Sequence, residues 1–419
     1  MNTGFFKPEI FIIPVLVFAS QLLLAEEKTD VSDVNYCYSC HAELEILPDA
    51  MHPEDIHLQK GLSCAGCHGG DPLQEDMEMA KARSAGFRGV PSKKDIPEFC
   101  GKCHSEIKLM RTYQPRIPTD QVAQYYTSVH GQKLKQGDRK VADCTNCHTS
   151  HAILSAKDTR SSVHPLNVPA TCDHCHGDSE YMEPYGIPTD QYDSYASSVH
   201  GVALLENQDT GSPACNDCHG NHGAMPPGVT SIAHVCGICH VNNMQYFSGS
   251  KMGRAFEEQQ LHACEECHGN HKVAKTSDNM LGTNAASVCV DCHSEGDAGY
   301  RAAIELQTEL DTLVSAYKLA QDKFDYVRRI GMDDVELGFL LQDAKQSLIK
   351  ARTLIHTFDP EQVGEMSKEG QTHAVAAINL AETQIHEYSV RRTGFGVATI
   401  FITILIVAIF FKIREIDKK

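Results

Sequence analysis

All eighteen cysteines of this 419-residue chain occur in nine Cys-x-x-Cys-His motifs. The motif is the attachment signature of c-type haem, because two sulfurs bond to the porphyrin and the adjacent histidine reaches the iron. Zinc sites and redox dithiols would not require nine copies, each followed by histidine. We therefore expect nine covalently bound c-type haems, attached through Cys37, Cys40, Cys64, Cys67, Cys100, Cys103, Cys144, Cys147, Cys172, Cys175, Cys215, Cys218, Cys236, Cys239, Cys264, Cys267, Cys289 and Cys292. The proximal iron ligands would be His41, His68, His104, His148, His176, His219, His240, His268 and His293.

The motifs leave little protein for each predicted haem. They extend from Cys37 to His293, fewer than 29 residues per motif, and the chain has no tryptophan. An ordinary apolar core around each cofactor is therefore excluded, so the haems must form much of the core themselves. We predict a mainly α fold, in which a haem-packed domain with little strand spans residues 26–299.

The two ends of the chain carry apolar runs. Residues 1–25 resemble a secretory signal peptide ending at Ala25, and an uncleaved anchor is the alternative. Residues 393–411 carry no charge and are long enough for a transmembrane helix. The tail, residues 412–419, is the more basic flank, which predicts a cytoplasmic tail and periplasmic haems at the inner membrane. Haem attachment, which takes place on the periplasmic side, predicts the same topology.

The haem region contains an internal repeat. Residues 117–131 read IPTDQVAQYYTSVHG and residues 187–201 read IPTDQYDSYASSVHG, with ten of fifteen positions identical. Each copy predicts a helix that begins near Thr119 or Thr189 and stops at Gly131 or Gly201. Each copy is followed by a Cys-x-x-Cys-His-x-x-His segment. A third, degenerate copy has Ser250-Lys251-Met252-Gly253 in place of Ser-Val-His-Gly.

Residues 300–392 lack cysteine and show apolar residues at alternating spacings of four and three. This heptad pattern predicts an antiparallel three-helix coiled bundle. Gly331 to Asp333 would end the first helix, and Asp359-Pro360 would cap and begin the third. The third helix would continue into the transmembrane segment. A stalk and a partner-binding face are both compatible with the pattern.

The second axial ligands decide whether a haem only transfers electrons or can also bind a substrate. Histidine often serves as a metal ligand, and the number of predicted irons favours ligation at repeated positions. The candidate distal ligands are His130, His200, His151, His222 and His271, then His57, His164 and His234, then His52 and His262.

The degenerate repeat leaves two alternatives for one haem. Met252 occupies the ligand position of His130 and His200, and a methionine ligand would raise the potential of the iron. Alternatively, Met252 is a packing residue and His262 takes its role. His174, inside a motif, is expected at the surface. His356, His373 and His386 are expected at ordinary positions of the helical bundle, and the alternative is that one of them caps a haem packed against the bundle.

The Ser-Val-His-Gly, Cys-x-x-Cys-His-x-x-His and IPTDQ segments, with the helical tail and final apolar run, resemble the membrane-anchored periplasmic multihaem cytochromes c of the doubled Cys-x-x-Cys-His type. More distantly, the chain is similar to octahaem hydroxylamine-oxidoreductase-like cytochromes. This resemblance implies closely packed haems with mostly two histidine ligands, serving anaerobic respiration. Pentahaem nitrite reductases typically carry a Cys-x-x-Cys-Lys site, whereas all nine motifs here end in histidine.

Two functions follow as hypotheses. The first is an electron carrier between a membrane quinol dehydrogenase or b-type cytochrome subunit and a periplasmic redox protein. The formal charge of −18 argues against nucleic-acid binding and favours a partner with a basic docking face, although solubility alone also explains it. The second is an oxidoreductase of the hydroxylamine-oxidoreductase type that acts on a small nitrogen or sulfur compound at one open haem. Direct quinol oxidation near an uncleaved N-terminal anchor is a further alternative.

Overall fold

The computed structural model describes residues 35–47, 54–228 and 232–417. Across these ranges the chain is mainly helical and contains no β-strand, which confirms the predicted fold class. The predicted signal segment, residues 1–25, and the candidate ligand His52 lie outside the described residues.

The chain divides into two compact units. The first comprises the described residues of Met1–Asp95 together with Ser150–Ile153, and the second comprises Ile96–Thr149 and Leu154–Lys419. In the first unit, buried Asp55 accepts hydrogen bonds from the backbone N–H groups of His57 at 2.8 Å and Ile153 at 2.7 Å. Its helices are α1 Tyr36–Glu43, α2 Ile56–Gln59, α3 Cys64–His68 and α4 Met77–Ala80.

The second unit begins with short helices that carry six of the nine motifs, and a seventh motif starts on the 3₁₀ turn Cys289–Asp291. Only one of the four buried apolar clusters of the described residues lies in this part, around Tyr125, Leu134 and Val141. This small number of buried apolar side chains agrees with the expectation that haems form much of the core in this part of the chain. The helices are α5 Ile96–His104, α6 Ile107–Tyr113, α7 Gln121–Tyr125, α8 Val129–Lys135, α9 Cys144–His148, α10 Val168–His176, α11 Ser179–Met182, α12 Gln191–Ala196, α13 Val199–Gly201, α14 Cys215–His219, α15 Ile232–Gly237, α16 Val241–Gly249, α17 Lys251–Gln259 and α18 Glu265–His268.

The repeat forms two short helices rather than one. The predicted helix ending at Gly131 is wrong, because α7 ends at Tyr125 and a second helix, α8, begins at Val129. Ser128 caps the second helix, since its Oγ accepts a hydrogen bond from the Gly131 N–H at 2.9 Å. Gly131 is required because a Cβ there would lie 2.1 Å from the Tyr125 carbonyl oxygen. The glycine therefore allows two helices to cross closely and does not end one.

Residues 298–416 form three long helices: α19 Ala298–Arg329, α20 Val335–Leu354 and α21 Pro360–Ile416. The predicted heptad positions form the bundle core, in which Leu313, Val327 and Ala344 are fully buried. As predicted, α19 ends just before Gly331, which has φ +71°, and the Asp359 side chain caps α21 at the Glu361 N–H. This agreement confirms the coiled bundle that the apolar spacing predicts.

Helix α21 contacts its neighbours through small residues. Gly364, Ser367, Gly370, Ala374 and Ala377 are all buried. A Cβ at Gly370 would lie 2.6 Å from a Leu313 methyl carbon and 2.9 Å from Ser347 Cβ. The Ser367 hydroxyl donates a hydrogen bond to the Glu309 carbonyl at 2.7 Å. The absence of larger side chains lets α21 approach both other helices closely.

The last part of α21 is a candidate membrane span. The helix has 57 residues, or roughly 86 Å at ~1.5 Å per residue, and its most apolar window has a mean hydropathy of 2.6 with none of it buried. The run from residue 393 to 411 is about 28 Å long, close to the ~30 Å hydrocarbon thickness of a bilayer. Length and composition therefore allow this helix to cross a membrane.

The close approach of α21 generates a stability prediction. Gly370→Ala should lower the melting temperature of the bundle, because overpacking costs about 1–3 kcal/mol and outweighs the helix propensity gained. Gly338→Ala is the matched control, since its Cβ would meet Phe324 at an ordinary 3.6 Å. Circular dichroism of the full chain in detergent measures both variants, and equal melting temperatures would contradict this packing.

Candidate haem sites

The local fold of the motifs brings each pair of cysteines to one side. Helices α3, α9 and α14 each begin at the first cysteine and end at the histidine. One helical turn places residues i and i+3 on the same face, as attachment to one porphyrin edge requires. Side chains fix the start of two of these helices: Asp143 accepts from the Thr145 N–H at 2.8 Å, and Asp217 accepts from the Ala214 N–H at 2.8 Å. All eighteen cysteines lie among the described residues, and none forms a disulfide.

Consecutive motifs of the second unit are neighbours in space. In three successive pairs of motifs, the first cysteine of one motif lies beside the first cysteine of the next, close enough for each thiol to shift the pKa of the other. These pairs are Cys100 with Cys144, Cys172 with Cys215, and Cys236 with Cys264. In the first unit, burial raises the pKa of Cys37 and the nearby Cys64 adds to that shift. Within each unit, the first cysteine of one motif therefore lies close to the first cysteine of the next motif.

The intervening motifs approach each other through the second cysteine of the earlier motif. Burial raises the pKa of the Cys147 thiol, and Asp143 and then Cys175 add to the shift. The same relation joins Cys218 to Cys236 and Cys239, and Cys267 to Cys289 and Cys292. The two kinds of contact alternate, so the seven motifs from Cys100 to His293 form one continuous row.

Within the described residues, the two rings of six histidine pairs lie opposite each other with similar spacing. Each pair joins the last histidine of a motif to a histidine remote from it in sequence, and the ring centroids are 5.9 to 6.3 Å apart. The pairs are His68 with His151, His176 with His130, His148 with His222, His240 with His200, His219 with His271, and His268 with His356.

This spacing tests whether the residues fit a haem iron. Two imidazoles on opposite sides of one metal ion, with metal–nitrogen distances of about 2.0–2.1 Å, would have ring centroids about 6.3 Å apart. A direct N–H···N hydrogen bond between the rings would bring the centroids to about 5.3 Å. The observed separations lie nearer the first distance, so the pairs fit an iron between them. No cluster of three or more His, Cys, Asp or Glu side chains in the described ranges could hold a metal. Two ligands per site suit a porphyrin-bound iron, because the porphyrin supplies the other four.

The surroundings of the paired rings favour neutral imidazole, the form that ligates a metal. Burial lowers the pKa of nine of the twelve rings: His130, His148, His151, His176, His200, His222, His268, His271 and His356. Backbone carbonyls also orient some rings. His68 Nδ1 donates to the Gly89 oxygen at 2.9 Å, and His356 Nδ1 donates to the Thr353 oxygen at 3.0 Å. Each such bond leaves Nε2 available to face a metal.

In five of the pairs, a histidine between motifs faces the motif histidine two motifs earlier or two motifs later in the sequence. We call this relation the rule of two motifs. The histidine of each Cys-x-x-Cys-His-x-x-His segment faces the motif histidine two motifs earlier, as His222 faces His148. The histidine of each Ser-Val-His-Gly segment faces the motif histidine two motifs later, as His130 faces His176. Five of the predicted distal ligands are thereby brought opposite a proximal histidine: His130, His151, His200, His222 and His271.

The remaining candidates differ in their surroundings. His57 follows the capping residue Asp55 by two positions, as His130 follows Ser128. His164 is buried and its Nδ1 accepts from the Leu166 N–H at 3.3 Å, whereas His234 is exposed. His262 is exposed, with Nδ1 2.5 Å from Glu265 Oε1. Their ligation remains a prediction, as does that of Met252. His174 lies at the surface, as expected.

Sequence reasoning missed His356 as a paired residue. It lies on the short 3₁₀ turn Ile355–Thr357 between α20 and α21, and its ring centroid is 6.2 Å from that of His268. The pairing agrees with the alternative, in which one histidine of the bundle faces a haem, rather than with an ordinary bundle position. The rule of two motifs gives a signal for it in retrospect, because no Cys-x-x-Cys-His-x-x-His segment follows two motifs after His268. The bundle supplies the missing histidine.

His356 can be tested as a ligand. His356→Ala should leave one additional iron open, so the reduced protein should bind one more equivalent of carbon monoxide per chain than the parent. His386→Ala, an exposed position on the same bundle, is the control and should bind no more than the parent. Absorption difference spectra with carbon monoxide measure the change. An unchanged stoichiometry in His356→Ala would show that this ring does not close an iron.

Comparison with known proteins supports the haem interpretation. Residues 56–177 match the family cytochrome c3 and include four of the nine motifs. The match covers less than a third of the chain. No curated protein and no solved structure matches it. The family match and the motifs together support a multihaem c-type cytochrome with covalently bound haem that transfers electrons.

Proposed function

We propose that this chain is a membrane-anchored, nine-haem electron carrier. It relays electrons between a quinol-oxidising membrane protein and periplasmic acceptors in anaerobic respiration. The observation that carries the proposal is the set of six opposed histidine pairs. An iron with two histidine ligands has no position for a substrate, so it is suited to electron transfer.

The arrangement of the motifs supports a relay rather than isolated redox centres. The alternating cysteine contacts hold successive attachment sites of the second unit next to each other from Cys100 to Cys292. Neighbouring attachment sites keep the bound cofactors close, which a chain of one-electron transfers requires.

The residues of this chain have separate tasks in this proposal. When bound, the haem supplies a one-electron iron couple. The motif cysteines would attach the haem, and the paired histidines would bind its iron and leave no position for other ligands. The carbonyls of Gly89 and Thr353 fix the orientation of His68 and His356, and burial lowers the pKa of His268 and His356, which favours their neutral form. The protein thereby tunes the potential through ligand identity and burial.

The anchor and the charge favour particular partners. Helix α21 is long and apolar enough to hold the protein at a membrane, with its haem domain on the periplasmic side of the inner membrane. A formal charge of −18 suits an acceptor with a basic docking face. A membrane quinol dehydrogenase or b-type cytochrome subunit would supply the electrons.

Low-temperature electron paramagnetic resonance of the oxidised full chain tests the relay. At least six low-spin signals from bis-histidine haem are expected, and the corresponding six irons should not bind carbon monoxide after reduction. The control is the His356→Ala variant, in which one low-spin signal should be lost. Fewer than six closed irons in the parent chain would contradict the proposal. A high-spin haem that binds carbon monoxide and turns over hydroxylamine would instead support the oxidoreductase hypothesis.

A further inference from the structure

The third copy of the repeat has the same turn as the first two, although its histidine is replaced. Ser128, Ser198 and Ser250 each accept a hydrogen bond from the glycine N–H three residues later, at 2.9, 3.0 and 2.8 Å. A Cβ on any of these glycines would lie 2.0 to 2.1 Å from the carbonyl oxygen six residues earlier. The residue before each glycine is therefore presented in the same way. In the three copies, these residues are His130, His200 and Met252.

The first two copies define what this position faces. His130 lies opposite His176 and His200 lies opposite His240, each being the motif histidine two motifs later. The motif histidine two motifs after Met252 is His293, the last one in the chain. The same register therefore directs Met252 to the ninth haem.

His293 lies at the starting end of α19. Its ring rests on the first turn of that helix, since a Cβ at Gly299 would lie 2.1 Å from His293 Cε1. Its Nδ1 is 3.3 Å from Oδ1 of Asp297, the residue that caps α19. A carboxylate at Nδ1 orients a histidine so that Nε2 can bind a metal.

Met252 lies at the same end of the bundle. Helices α19 and α21 start together, because Ser367, in the second turn of α21, hydrogen-bonds to Glu309 of α19. Hydrogen bonds from Gln362 and Glu361 lower the pKa of Asp359, which caps α21, and the nearby Lys251 adds to that effect. Lys251, the residue directly before Met252, is therefore close to the end of the bundle where His293 lies.

The neighbouring histidines are engaged elsewhere. His262, the alternative from sequence, is exposed and its ring contacts Glu265 at 2.5 Å. His271 lies opposite His219 and His356 lies opposite His268. Met252 is half-buried, as a residue facing a cofactor would be, and its thioether sulfur can bind haem iron.

We infer that Met252 Sδ and His293 Nε2 are the two axial ligands of the ninth haem, which is therefore a His/Met site at the bundle end of the row. This inference rests on the haem attachment of the proposed function. A methionine ligand raises the potential of the iron relative to two histidines. The terminal haem would then be the most readily reduced of the row and would hold electrons at that end.

Near-infrared magnetic circular dichroism of the oxidised holoprotein tests the assignment, because thioether-ligated haem gives a charge-transfer band that bis-histidine haem does not. The parent chain should show this band from one haem equivalent. Met252→Leu should abolish it and add one equivalent of carbon monoxide binding to the reduced protein. Met225→Leu, a change at an exposed methionine close behind another motif, should leave the band intact.

Met252→His keeps the iron closed and guards against a folding defect in the leucine variant. It should remove the band, keep the haem content, and lower the midpoint potential of one haem in a spectroelectrochemical titration. A parent chain without the band, or a band that survives in both Met252 variants, would overturn the assignment. A fully bis-histidine protein would fail this test and leave the relay standing, so the two proposals can be separated.

Discussion

The distance between two opposed imidazoles, which fits one iron between them, is the constraint on which the rest of this structure depends. Six pairs lie 5.9 to 6.3 Å apart, and in every pair the two rings come from segments that are distant in sequence. Each pair closes a loop of chain, which costs conformational entropy. Short helices with few buried apolar side chains cannot offset that cost alone. The bonds to the cofactors must therefore provide the cohesion that an apolar core provides elsewhere.

The rule of two motifs explains how short helices with few buried apolar side chains are connected into one fold. Ligands of the Ser-Val-His-Gly type reach forward along the chain, as His200 does to His240, and those of the Cys-x-x-Cys-His-x-x-His type reach back, as His271 does to His219. Segments that reach forward therefore alternate along the chain with segments that reach back. The turn with Ser198 and Gly201 must be rigid, because a displaced turn would misplace a ligand. A buried cap and a glycine with no room for a Cβ provide that rigidity.

Sequence alone predicted the features that depend on local pattern. The heptads identify the core positions of the bundle, such as Leu313 and Ala344, and the motifs predict the attachment residues. The repeat marked His130 and His200 as ligands, but it did not reveal which motif each one faces, since that depends on packing between segments. Gly131, where two helices cross, was interpreted as the end of one helix, because glycine is common both at helix ends and at close helix crossings. His356 was missed because its 3₁₀ turn joins two helices whose pattern gives no sign of a haem nearby.

The bundle determines where the last motifs of the row lie along α21, the helix that contains the candidate membrane span. The turn carrying His356 directly precedes α21, and His293 rests on the first turn of α19, so both sites lie at the starting end of α21. From Pro360 to residue 393 the helix extends about 50 Å at ~1.5 Å per residue. With residues 393–411 in a bilayer, the last two haem sites would stand far along the helix from the lipid surface. In the proposed function, this end would therefore suit a water-soluble partner better than a quinol-oxidising site within the membrane.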